Sequence, residues 1–144
     1  MIPEYRILVV DDDPGDTRMI QLAVAESSFP CQIVTAANGR EALSLLHQAG
    51  SGPDRPDLIL LDLNMPQMNG QETLRAIKAD PRLAAIPVVV MTTSLAGRDI
   101  EDSYALGASG FVTKPMDMES FFEAIHRVEE YWFRTVRRPH DRLA

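Results

Sequence analysis

One cysteine, Cys31, is all that the 144 residues contain. A single thiol closes no internal disulfide, so no covalent staple is expected, and Cys31 reads as an ordinary small apolar residue. No apolar run approaches the length needed to span a bilayer. The opening MIPEYR has neither the basic start nor the apolar stretch of a secretory signal. These absences point to a cytoplasmic protein without a membrane partner. Positive charge is also scarce, with 14 Lys and Arg against 21 Asp and Glu for a net charge of −7. That balance works against a sequence-independent grip on nucleic-acid phosphates, so no nucleic-acid partner is expected. His47, His126 and His140 are scattered without metal-ligand spacing, and there are no internal repeats. The length suits a single domain around one core, with no room for a separate output domain.

What is present is a regular alternation. Short aliphatic runs at Ile7 to Val10, Gln32 to Thr35, Leu58 to Leu61, Val88 to Met91 and Phe111 to Thr113 lack the polar alternation of a half-exposed strand. They read as strands buried on both faces. Between them, apolar spacing at Ile20 and Val24, at Ala42, Leu45 and Leu46, at Leu74 and Ile77, and at Ile100 and Tyr104 predicts amphipathic helices. Pro14 suits a first helical turn, Asn38-Gly39 and Asn69-Gly70 are turn or cap chemistry, and AGSGPDRPD (49–57) reads as an extended loop. Five βα units in a row predict an α/β fold with a parallel sheet covered on both sides.

In such sheets, binding sites form beyond the carboxyl ends of the strands. The residues there are Asp11 and Asp12 after the first run, Asp62 after the third, Thr92 after the fourth and Lys114-Pro115 after the fifth. If the first and third strands are neighbours, these groups converge. Two unit charges 4 Å apart repel by about 4 kcal/mol at an effective dielectric near 20, and a divalent cation removes that cost. Hard oxygen ligands with room for water suit Mg²⁺. An aspartate can then take a phosphoryl group as an acyl phosphate while a lysine and a hydroxyl stabilise its oxygens. Asp13, just before Pro14, reads as a helix N-cap, and Asp16 as a first-turn charge favourable to the helix dipole.

ILVVDDDP, DLILLDLNMPQMNG, IPVVVMTTS and GFVTKP together resemble the receiver domain of a two-component response regulator. The resemblance implies a flavodoxin-like, doubly wound five-stranded sheet in the order 2-1-3-4-5. It makes Asp62 the phosphoacceptor, Asp11 and Asp12 the acidic pair for Mg²⁺, and the Asn64 backbone carbonyl a further metal ligand. Lys114 and Thr92 would contact the phosphoryl group, Thr92 and Phe111 would form a switch, and the Lys114-Pro115 bond would be cis. The whole pattern, with the ending VEEYWFRTVRRP, is similar to the stand-alone regulators paired with bacterial phytochromes and related hybrid kinases. A sensor histidine kinase of the bacteriophytochrome type is the partner this resemblance implies.

The last helix is expected to start near Asp117, with Met118, Phe121, Phe122, Ile125, Val128, Trp132 and Val136 on one face. Twenty residues span roughly 30 Å, so the half carrying Tyr131, Trp132 and Phe133 is expected to overhang the domain. Residues 1–128 then form the receiver, and 129–144 a C-terminal extension. Phe122, Tyr131, Trp132, Phe133 and Val136 are candidates for a homodimer contact; the alternative is that the helix bends back onto its own domain. Two other functions compete. A haloacid-dehalogenase-like phosphatase also uses a strand-end aspartate, but needs a second Asp where Asn64 stands, and an amide is no proton donor at neutral pH. A receiver-shaped scaffold that never takes phosphate is the other.

Overall fold

The computed structural model describes residues 5–65, 68–93 and 96–135. Five strands, β1 (Tyr5–Val10), β2 (Cys31–Ala36), β3 (Leu58–Leu61), β4 (Val88–Thr92) and β5 (Gly110–Thr113), alternate with five helices. These are α1 (Pro14–Glu26), α2 (Gly39–Ala49), α3 (Gly70–Ala79), α4 (Gly97–Ala105) and α5 (Met118–Glu130). The strands are parallel and ordered β2-β1-β3-β4-β5, the flavodoxin-like arrangement.

Side chains of a strand point alternately to the two faces, so the unbroken aliphatic runs supply two cores at once. Leu8, Val10, Ile59, Leu61, Val88 and Val90 pack with Ala42, Leu46, Leu74 and Ile77 under α2 and α3. Ile7, Val9, Leu58, Leu60, Val89 and Met91 pack with Ile20, Val24, Phe121 and Ile125 under α1 and α5. The edge strands depart from the expected double burial. In β2, Gln32, Val34 and Thr35 are open, and β5 is only half-buried, because an edge strand has a neighbour on one side alone.

Local chemistry starts the helices where the sequence indicated. Asp13 accepts from the backbone N–H of Gly15 and Asp16, with Pro14 in the first turn. Asn38 caps α2, Asn69 and Glu72 form a capping box on α3, and Asp117 caps α5. In α4 the expected apolar pair fails to reach the core: Ile100 is half-buried and Tyr104 is exposed, leaving Ser103 as the buried residue.

The last helix also differs from its expectation. The α-helix ends at Glu130 and gives way to one π-helical turn, Tyr131–Thr135. A wider turn rotates the side chains that follow it. Phe133 is therefore not on an overhanging face: it is 7% exposed and stacks on Tyr5 at 4.3 Å, with Phe29 edge-on. Trp132 is half-buried and Tyr131 exposed, while Val136 lies outside the described residues. No described helix is long and apolar enough to cross a membrane.

Candidate functional site

Strand pairing continues one residue past each strand and so sets the site. The Asp62 N–H donates to the Val10 carbonyl at 2.9 Å, and the Asp11 N–H to that of Ala36 at 3.0 Å. The Lys114 N–H donates to the Thr92 carbonyl at 2.7 Å. Asp11 and Asp62 thereby leave the carboxyl edge of the sheet from neighbouring strands, and Lys114 from β5, on the far side of β4. Gly70 closes the site from behind: a side chain there would collide with the Asp62 carbonyl and the Leu63 backbone, so only glycine lets α3 approach the end of β3.

The Lys114 ammonium is the hub of the cluster. It donates to Asp11 Oδ2 at 2.7 Å, Asp16 Oδ2 at 2.8 Å and Asp62 Oδ2 at 3.3 Å. Its side chain is 5% exposed and that of Asp11 is 3% exposed, so the pairing acts with little screening by water. Burial alone would lower the Lys114 pKa, but the hydrogen bonds to Asp11 and Asp16 and the charges of Asp11 and Asp62 overcome it and hold it above an ordinary lysine. Burial pushes the Asp11 carboxyl up, with the Lys114 hydrogen bond pulling part of the way back.

One carboxylate oxygen from each of Asp11, Asp12 and Asp62 falls within 4.8 Å of the others. Three hard oxygens, with Asp12 exposed to water, suit a divalent cation that keeps part of its hydration shell. Asn64 is exposed, and its N–H donates to Asp62 Oδ1 at 3.3 Å. Thr92 ends β4 with no exposure to solvent. Phe111 sits half-buried on β5. With Tyr104, Tyr131 and Trp132 it lines a groove of about 590 Å³ between α4, β5 and α5.

Two expectations change here. The Lys114-Pro115 bond is trans, as is every peptide bond among the described residues. The two isomers of an X–Pro bond differ by only about 0.5–1 kcal/mol, so the surroundings choose between them. Asp16, read from sequence as a helix-dipole charge, is a direct partner of Lys114. The available signal was its place in the first turn of a helix that begins three residues after Asp11.

Residues 7–126 match the model of the response regulator receiver domain. The chain is 37% identical over 139 residues to "Response regulator Rcp1" of Synechocystis sp. (strain ATCC 27184 / PCC 6803 / Kazusa), covering 95% of each chain. Among solved structures it resembles the phosphorylated cyanobacterial phytochrome response regulator RcpA, with a TM-score of 0.89 and 42% identity. That alignment covers 95% of this chain and 99% of RcpA. The Mn²⁺-bound form of Rcp1 superposes with a TM-score of 0.85 at 37% identity, over 94% of this chain and 99% of Rcp1. A hard divalent cation in a relative agrees with the donor set formed here by Asp11, Asp12 and Asp62. The chain belongs to the response regulator receiver family and is a phosphoacceptor signalling protein.

Proposed function

We propose that this protein accepts a phosphoryl group from a sensor histidine kinase of the phytochrome type onto Asp62, in a Mg²⁺-dependent reaction. The observation that carries this reading is the position of Asp62, 3.3 Å from the Lys114 ammonium and within reach of Asp11 and Asp12. A carboxylate oxygen of Asp62 attacks phosphorus. The phosphorus–nitrogen bond of the donor phosphohistidine breaks, its electron pair stays on the ring nitrogen, and that nitrogen takes a proton from water. Lys114, protonated at any working pH, offers an N–H to the phosphoryl oxygens, and the Thr92 hydroxyl offers another. Asp11, Asp12, Asp62 and the Asn64 backbone carbonyl would hold Mg²⁺, which would supply positive charge against the repulsion between carboxylates and phosphoryl oxygens.

The signal then passes through Thr92 and Phe111 to the groove between α4, β5 and α5. Exposed Tyr131 and half-buried Trp132 on its rim support a homodimer contact that runs from Phe122 into the C-terminal extension, residues 129–144. Phe133 supports it from beneath, by anchoring the extension to its own domain. The similarity to Rcp1 and RcpA supports the choice of kinase.

The test is labelling from acetyl phosphate and from a phytochrome-type histidine kinase. Wild type is expected to take up a hydroxylamine-sensitive phosphoryl group only with Mg²⁺ present, and Asp62→Asn none. Equal labelling of Asp62→Asn would sink the assignment.

A further inference from the structure

The site holds four carboxylates, one more than the acidic trio needs. Asp11, Asp12 and Asp62 converge on one point, while Asp16 stands outside that group on the first turn of α1. An ammonium has three N–H donors. All three of Lys114 are engaged, one each with Asp11, Asp16 and Asp62. Two of those acceptors belong to carboxylates that also converge on the cation position. Lys114 and a divalent cation therefore compete for Asp11 and Asp62, but not for Asp16.

We infer that Asp16 is a positioning residue that keeps a place for the Lys114 ammonium when Asp11 and Asp62 turn to a divalent cation, and so sets both cation affinity and the readiness of the lysine for a phosphoryl group. The inference rests on the phosphoacceptor reading of the same site. Without Asp16, each cation that binds must draw Asp11 and Asp62 away from an ammonium left with no acid outside that pair. With it, the 2.8 Å bond to Asp16 persists and Lys114 stays beside Asp62. The Asp16 side chain is 26% exposed, so the pair is sheltered without being sealed, and substituting it leaves no cavity in the core.

Calorimetric titration of the full chain with Mg²⁺, and with Mn²⁺ as a second probe, tests this without a phosphoryl donor. Asp16→Asn is expected to raise the Kd by at least about threefold, the lower range for residues in direct contact. Asp16→Glu, which retains an acid within reach, is expected to recover most of that loss. Asp13→Asn removes a charge from the same helix start and keeps a capping side chain, without touching Lys114, so its effect is expected to be smaller. In a Lys114→Gln background the Asp16→Asn effect is expected to shrink. An effect of the same size with and without Lys114, or one matched by Asp13→Asn, would make Asp16 a general negative charge and overturn the inference. Labelling from acetyl phosphate adds an independent readout: Asp16→Asn is expected to need more Mg²⁺ for half its maximal rate. If Asp62→Asn is labelled as well as wild type, the phosphoacceptor reading fails while the cation titrations still decide the role of Asp16.

Discussion

The two ends of one sheet handle buried acid in opposite ways. At the carboxyl end, Asp11 and Asp62 are buried against a lysine that also holds Asp16, and every acidic oxygen that meets Lys114 has a positive partner. At the amino end, Glu129 is just as buried and has no such partner among the described residues. One of its oxygens accepts from the Ser27 hydroxyl at 2.8 Å and from the Cys31 thiol at 3.5 Å, while the other has no hydrogen bond among the described residues. Burial raises the Glu129 pKa, with Ser27, Cys31 and His126 opposing. Around it the end is closed by aromatic rings, Tyr5, Phe29 and Phe133, with the Arg134 guanidinium over Phe29 at 5.0 Å. At one end burial is offset by a lysine, and at the other it acts on the carboxyl against a hydroxyl and a thiol, which pushes the pKa of Glu129 up.

The strongest way to break the comparison is to remove the counter-charge. Lys114→Met leaves buried carboxylates facing one another, and breaking a buried ion pair typically costs about 3–5 kcal/mol. Urea unfolding without divalent cation should show a loss of that order, with much of it recovered on adding Mg²⁺. A variant as stable as wild type in the absence of cation would mean that the carboxylates relax apart on their own. At the other end, Phe133→Ala should cost about 3 kcal/mol, the lower end for a buried phenylalanine. The same unfolding measurement checks it, and a negligible loss would return Phe133 to the overhang expected from sequence.

Glu129→Gln sharpens the contrast through pH. A carboxyl raised above its unfolded value of about 4.5 binds a proton in the folded state that it has lost in the unfolded one. Its contribution to stability is complete below that value and is lost as pH rises through the folded pKa. Glutamine carries no such loss, so the variant should gain on wild type as pH rises from the unfolded value through the folded one. A difference that stays flat with pH would show that Glu129 keeps its charge. The smallest effect belongs to Asp13→Ala, which removes the cap of α1 but no partner of Lys114. A loss of about 1 kcal/mol is expected from thermal or urea unfolding, with Asp62 still labelled.

Much of the functional end was legible because strand-end positions follow from local pattern. The aliphatic runs place Asp11, Asp62, Thr92 and Lys114 at strand termini, and parallel order then brings them together. Asp13 was equally legible, since a cap is a contact across two or three residues. Asp16 was not. Its role depends on a lysine 98 positions away, and its place in the first turn, the one local signal, suits a dipole charge as well as an ion-pair partner. The exposure of β2 and the shallow seating of α4 escaped for a related reason: a short apolar run does not reveal whether its strand is central or at an edge, nor how much sheet remains for its helix to cover.

The amino end was the less legible of the two. Spacing of three and four along Met118 to Val136 extrapolates one straight helix, and the π-turn at Tyr131–Thr135 interrupts that phase. Whether Phe133 points outward or onto Tyr5 and Phe29 depends on where β1 and the α1–β2 loop lie in space. By itself, the sequence determined the (βα)5 order, the helix caps and the four strand-end groups, because each follows from periodicity or from bonds between near neighbours. Tertiary structure alone decided the partners of Lys114, the burial of Glu129 and the return of Phe133, because each joins residues 52 or more positions apart.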